Sequence, residues 1–244
     1  MKHALQRTLG ALAVLAALAG TAVAEPAKVV VELFTSQGCS SCPPADAFLV
    51  ELAKRDDVIA LSFHVDYWNY LGWKDPFSTA ESTQRQRDYR AGLGLRYVYT
   101  PQMVIDGAVQ AVGSGRAEVL RGIEKMRGRD RVAVSAMRGE AGALAVTVGA
   151  GADGAGADIW LAAYDRQHST EIRKGENSGV ALTNAHVVRS LRRIGRWSGG
   201  KDVLRVTLNE AELKGRDGCA VIVQKPGGGP ILGATAIRMT PKGS

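Results

Sequence analysis

Cys39 and Cys42 are separated by two serines in Gly38-Cys39-Ser40-Ser41-Cys42-Pro43. A C-x-x-C spacing where a strand gives way to a helix brings two sulfurs within bonding reach. Unpaired N–H groups at the helix N-terminus then stabilise a thiolate. Sulfurs placed in this way exchange disulfides reversibly. Cys39 precedes the helix and is expected to be the more exposed sulfur, with Cys42 one turn in. Pro43 and Pro44 remove two N–H donors beside the motif, so the helix is expected to start after Cys42 and its dipole to act weakly on Cys39.

The elements that must position this pair are legible on either side of it. Val29-Val30-Val31-Glu32-Leu33-Phe34 reads as a buried strand, and Pro44 to Asp56, with Phe48, Leu49 and Leu52 on one face, as a helix. Val58 to Val65 reads as a second strand, followed by the aromatic loop Asp66-Tyr67-Trp68-Asn69-Tyr70-Leu71-Gly72-Trp73. Ser78-Thr79-Ala80-Glu81 has the form of a capping box, so a helix starts near Thr79 and ends before Gly92 and Gly94. Asp106-Gly107 between two apolar runs signals a hairpin. Ser114 then opens a helix to about Arg127, with Val119, Leu120, Ile123 and Met126 facing inward. The order is β-α-β-α-β-β-α. Beyond Arg129-Asp130-Arg131 the pattern changes to short alternating segments separated by glycine-rich turns, the pattern of an all-β sandwich. Asn184 to Trp197 is open to a helix, but Val187, Val188 and Ile194 among closely spaced arginines fit a long strand as well, and its neighbours favour the strand.

Residues 1–24 have the composition of a secretory leader. Lys2, His3 and Arg7 make a basic start, Leu9 to Ala19 is apolar but too short to span a bilayer, and Ala22-Val23-Ala24 is a cleavage site. The expected location is periplasmic or secreted, with no membrane span after cleavage. The formal net charge is +7, and the leader contributes two of its basic residues and no acid. The remaining basic residues are scattered apart from Arg189, Arg192, Arg193 and Arg196, which read as a solvated face, and no nucleic-acid partner is expected. In an oxidising compartment Cys39 and Cys42 pair and the third cysteine, Cys219, is left over. Its apolar surroundings, Ala220-Val221-Ile222-Val223, suggest a buried small hydrophobe.

The element order with C-x-x-C opening the first helix resembles the thioredoxin fold over about residues 27 to 128. The resemblance implies a cis-proline facing the dithiol, and Thr100-Pro101 stands at that place. It implies Cys39 as the attacking thiol and Cys42 as the resolving one. It also implies a buried acid on the first strand as proton relay. Glu32 is near that position but one residue farther from Cys39. His64 with Cys39 and Cys42 makes an alternative soft-metal set, in the manner of copper-delivery proteins of that fold, although those use a longer cysteine spacing. Three longer stretches are similar to the DUF1223 family. They are Val31 to Asp46, His64-Val65-Asp66-Tyr67-Trp68-Asn69, and Tyr99-Thr100-Pro101-Gln102-Met103-Val104-Ile105-Asp106-Gly107. Gly175-Glu176-Asn177-Ser178-Gly179 and Asp217-Gly218-Cys219 in the second half add to that similarity. The family is one of exported thioredoxin-like proteins without an assigned substrate.

The expectation is therefore a leader at 1–24, an α/β thioredoxin-like domain at 27–128, and an all-β sandwich-like C-terminal domain at 131–242. The expected activity is that of a thiol–disulfide oxidoreductase, exchanging disulfides with exported protein thiols or disulfides through Cys39 and Cys42. Pro101, Thr100 and Glu32 complete the site. A further, unidentified redox partner is required, and no cofactor motif is present. A metal-handling protein and a binding module with a structural disulfide are the alternatives.

Overall fold

The computed structural model describes residues 28–151 and 156–239. The leader and its cleavage site lie outside the described residues. The first strand, β1 (Val29–Thr35), is buried along its whole length. It has no polar alternation because both of its faces are covered. Val29, Val31 and Leu33 join one core with Phe48, Leu49 and Leu52 of α1 (Pro43–Leu52), while Val30 and Phe34 join another. β2 (Val58–His64) lies parallel to β1, in the register Val29↔Val58 to Thr35↔His64. A 3-10 turn at Asn69–Leu71 interrupts the aromatic loop. α2 (Ala80–Gly92) then starts at Thr79, whose side chain accepts the Ser82 N–H as an N-cap does.

β3 (Gln102–Ile105) and β4 (Val109–Val112) form the expected hairpin. Asp106 and Gly107 take φ of 48° and 61° at its turn, as this hairpin type demands. α3 (Arg116–Arg127) packs Val119, Ile123 and Met126 on the core of α1, but Leu120 is exposed.

The strand pairing overturns the expected split into a thioredoxin-like domain and a separate sandwich. The chain is mostly sheet, and strands of both halves form one eight-stranded mixed sheet. The second half begins with β5 (Val134–Arg138) and β6 (Ala143–Val148), then β7 (Ala157–Glu171) and β8 (Ala181–Trp197). β9 (Asp202–Thr207), the short α4 (Glu210–Leu213), β10 (Gly218–Gln224) and β11 (Ile231–Arg238) complete it. The large sheet runs β11-β10-β7-β8-β2-β1-β3-β4, and β5-β6-β9 form a smaller one. The join is β8 against β2, parallel, at Ser62↔Val187. The physical reason is that β2, buried along its whole length, would otherwise present an open edge with unpaired N–H and C=O groups. Alternation reveals that a segment is a strand but not which strand it pairs with.

β7 and β8 are long, 15 and 17 residues, and form one antiparallel hairpin with bulges near Trp160 and Tyr164. The segments Ile159 to Tyr164 and Ser169 to Lys174 are thus largely one strand. The smaller sheet packs Leu144, Val146 and Val148 on Ile159, Leu161, Val221 and Val223 of the large sheet, with Cys219 in the same core. No helix among the described residues is long and apolar enough to cross a membrane.

Candidate functional site

The turn between β1 and α1 carries the cysteines. Cys39 and Cys42 are joined in a disulfide, with Cα atoms 5.5 Å apart. Cys42 is the N-cap residue of α1, and the prolines fill its first positions, as the sequence suggests. The Cys42 N–H donates to the Cys39 carbonyl at 3.2 Å, and that carbonyl turns back toward the helix. The expected difference in exposure is absent: Cys39 is 2% exposed and Cys42 0%, while Ser40 and Ser41 between them are exposed.

Burial of Cys39 has specific causes. The Thr100 hydroxyl donates to Cys39 Sγ at 3.2 Å, and Trp68 Nε1 donates to the Thr100 oxygen at 2.8 Å. The Ser41 hydroxyl lies 3.4 Å from the same sulfur. The Thr100–Pro101 bond is cis, and Pro101 is buried, its carbonyl accepting the Gly113 N–H at 2.9 Å. α2 holds this segment through Gln86, whose Nε2 donates to the Tyr99 carbonyl at 2.8 Å and to Gln102 Oε1 at 3.0 Å. Gln86 also accepts from Tyr67, whose hydroxyl is pushed up to about 12 chiefly by burial. Sulfur, Thr100, Trp68 and Pro101 thus meet at one place.

Glu32 does not join them. Side chains alternate along a strand. Glu32 shares a face with Val30 and Phe34, opposite the face of α1. There Arg85 Nε donates to Glu32 Oε1 at 2.8 Å, and the Tyr89 hydroxyl bonds the other oxygen. Gln224 of β10 bonds both Arg85 and Tyr89. The assembly ties β1, α2 and β10 together on the far side of the sheet from the sulfurs.

The buried acid beside the disulfide is Asp46, one helical turn beyond Cys42 on α1. Burial pushes its carboxyl up to about 7, partly opposed by His64 and Thr35, while Asp75 adds to the rise and Asn184 opposes it. Neither of its oxygens makes a full hydrogen bond, so the nearby polar atoms of Thr35 and Asn184 offset the burial only in part. His64 is wholly buried, and its Nδ1 lies 2.7 Å from Asp75 Oδ2. Burial alone would raise Asp75, but the His64 charge and hydrogen bond, with the N–H groups of Gln37 and Phe77, outweigh it and hold that carboxyl below its usual range. The alternative set Cys39, Cys42 and His64 is not assembled: the sulfurs bond each other and His64 faces Asp75. Among the described residues no group of three or more His, Cys, Asp and Glu side chains is arranged to hold a metal ion.

The second half reaches the cysteine turn directly. The tip of the β7–β8 hairpin, residues 172–180, crosses over it. Asn177 Nδ2 donates to the carbonyls of Gln37 and Cys39, both at 2.9 Å. Glu176 Oε2 accepts the Ser40 N–H at 3.2 Å. Gln37 Nε2 donates to Asn184 Oδ1 of β8 at 3.1 Å, Gln37 Oε1 accepts from Trp73, and the Gln37 N–H donates to Asp75. Gly175 takes φ of 78°, and a side chain there would sit 3.1 Å from the Leu71 carbonyl, so the tip nests closely on the aromatic loop. Asn184, Gln37, Asp75 and Asp46 are site residues that sequence reasoning does not single out, and Asn177 enters it only within the stretch similar to the family. The available signal is polar residues in otherwise apolar company, such as Asn184 between Leu182 and Ala185.

Comparison with known proteins now places the chain. The family described as "Protein of unknown function (DUF1223)" matches residues 30–224, from β1 to the end of β10. The chain belongs to the DUF1223 family. That span takes in the cysteine turn, Thr100–Pro101, the hairpin tip and Gln224. A crystal structure of a protein from Agrobacterium tumefaciens is similar at 33% identity and a TM-score of 0.76, covering 90% of this chain and 97% of that one. HBP35 of Porphyromonas gingivalis shares the fold at 17% identity and a TM-score of 0.53, over 90% of this chain and 79% of its own. A search of curated proteins finds no match.

Proposed function

We propose that this DUF1223 protein exchanges disulfides with other exported proteins through Cys39 and Cys42. The observation that carries the reading is the Cys39–Cys42 disulfide at the mouth of α1, with the Thr100 hydroxyl on Cys39 Sγ and Pro101 beside it. From the oxidised form, a partner thiolate attacks Cys39 Sγ. A mixed disulfide forms, and the electron pair of the Cys39–Cys42 bond leaves on Cys42 Sγ. The partner's second thiolate then attacks its own sulfur in the mixed disulfide and expels Cys39 as a thiolate. Two electrons pass to this protein and the partner gains a disulfide; the reverse sequence reduces a partner. Asp46, one turn from Cys42 and shifted to about 7, is the acid placed to supply a proton to the departing Cys42 sulfur. Thr100 and Pro101 form the wall against which the mixed disulfide sits.

The test is trapping. A Cys42→Ala variant, treated with oxidised glutathione, is expected to hold one equivalent of glutathione on Cys39, and a Cys39→Ala variant to hold far less on Cys42. Equal labelling of the two variants would overturn the assignment of Cys39. A native disulfide that stays oxidised in excess dithiothreitol would make the pair a structural staple and overturn the function.

A further inference from the structure

The prolines at the start of α1 leave few N–H groups near the sulfurs. Pro43 and Pro44 have none, and the Cys42 N–H is taken by the Cys39 carbonyl. The Ser40 N–H, adjacent to Cys39 in the chain, is bonded by the carboxylate of Glu176. That carboxylate arrives on the hairpin tip, which Asn177 locks to the turn through two carbonyls. Asp75 bonds the turn at Gln37, and Asp46, on which His64 acts, lies one helical turn beyond Cys42. Glu176 is the charge bonded next to Cys39. A thiolate on Cys39 would ordinarily draw on neighbouring N–H groups for stabilisation. Here one such group is already engaged by an anion, and the anion itself repels the sulfur's charge.

We propose that the β7–β8 hairpin tip is part of the redox site, with Asn177 positioning the Cys39 backbone and Glu176 opposing negative charge on the Cys39 sulfur. This rests on the exchange reading and deepens it. The strap keeps the reduced form costly and so sets the pair toward the reducing end of its range. The first half of the chain supplies the sulfurs and the second half sets their redox balance.

Glu176→Gln keeps an acceptor for the Ser40 N–H and removes the charge. The thiolate titration of Cys39 is read by ultraviolet absorbance in a Cys42→Ser background, with and without the Glu176 change. Ser40 and Glu176 are exposed, so the charge acts through water, and its removal is expected to favour the thiolate about fivefold at most. In the two-cysteine protein, equilibrated with glutathione at a pH where Cys39 is ionised, the same shift of about fivefold at most is a potential up to about 21 mV more positive, at about 30 mV per tenfold. Glu176→Asp, which restores the charge, is expected to return both readings toward the wild type. An unchanged Cys39 titration in Glu176→Gln overturns the proposal. A disulfide that never equilibrates with glutathione overturns the exchange reading instead, and the titration still decides the role of Glu176.

Discussion

At the scale of single residues, the acid beside the disulfide is the most informative group. Asp46 is raised from 3.8 to about 7 by burial, against the opposing pull of His64 from β2, Thr35 from β1 and Asn184 from β8, with Asp75 adding to the rise. An acid whose folded pKa is raised keeps its proton in the native state while the unfolded chain loses it. Its contribution is fully present below about pH 4, falls between about pH 4 and 7, and levels off above. The fall is on the order of 4 kcal/mol. Asp75, shifted down, acts in the opposite sense at lower pH, and His186, lowered mainly by burial, also acts in the opposite sense as it titrates. The difference between two proteins therefore isolates Asp46 better than one profile does. Asp46→Asn is expected to be more stable than wild type at pH 8, with much less advantage at pH 5, in urea unfolding at both pH values. A gain of the same size at both would mean that Asp46 does not titrate in this window. Cys219, by contrast, carries no chemistry in this scheme: it is 1% exposed, and burial pushes its thiol up to about 12.

At the scale of elements, much is legible in the sequence and the misses share a cause. β1, α1, β2, α2, the Asp106-Gly107 hairpin and α3 are legible from periodicity and turn residues, because those signals are local, although the caps fall one residue later than read, at Thr79 instead of Ser78 and at Gly115 instead of Ser114. Cys39, Cys42, Thr100 and Pro101 converge as their motifs suggest. Glu32 does not, and the period of two explains why: an acid at an even position beside Val30 and Phe34 must face α2, not α1. The relative burial of Cys39 is not legible because its cover comes from Trp68, Thr100 and a hairpin tip more than 130 residues away in the chain. Glu32 has a different task, which can be tested. Arg85 is 6% exposed and Glu32 0%, in a buried pair with Tyr89 and Gln224. Arg85→Met leaves a buried carboxylate without its cation and is expected to cost about 3–5 kcal/mol. Adding Glu32→Gln removes the stranded charge and should recover a large part of that loss. Thermal or urea unfolding of the two variants reads this directly, and a double variant no more stable than Arg85→Met would show that the pair is not coupled.

At the scale of the whole molecule, the halves share a sheet, one core and the site. β8 covers the edge of β2, and Gln224 of β10 reaches the Glu32 pair. Val188, Ala220 and Ile222 join the core of Val30, Phe34 and Phe63, and Asn177 and Asn184 hold the cysteine turn. Each half also has a cluster of its own, around Leu33 and Ile123 in the first and around Leu144 and Val221 in the second, but the shared core and repeated crossings remove the boundary with few contacts that an autonomous unit needs. A chain ending at Arg129 would expose the apolar edge of β2 and one face of β1, β2 and β3. It would also leave Arg85 and Tyr89 without Gln224, and the Gln37 and Cys39 carbonyls without Asn177. Each buried carbonyl stranded in this way costs about 1–3 kcal/mol, comparable in sum to the whole stability of a small domain. Such a chain is expected to aggregate or to lack a cooperative melt, and its cysteines to be open to alkylating reagents after mild reduction. Restoring the second half as a separate polypeptide should rescue solubility if the missing element is the strand edge. A soluble, cooperatively melting 1–129 chain with a protected disulfide would show that the first half folds alone and that the shared sheet is an accessory, not a requirement.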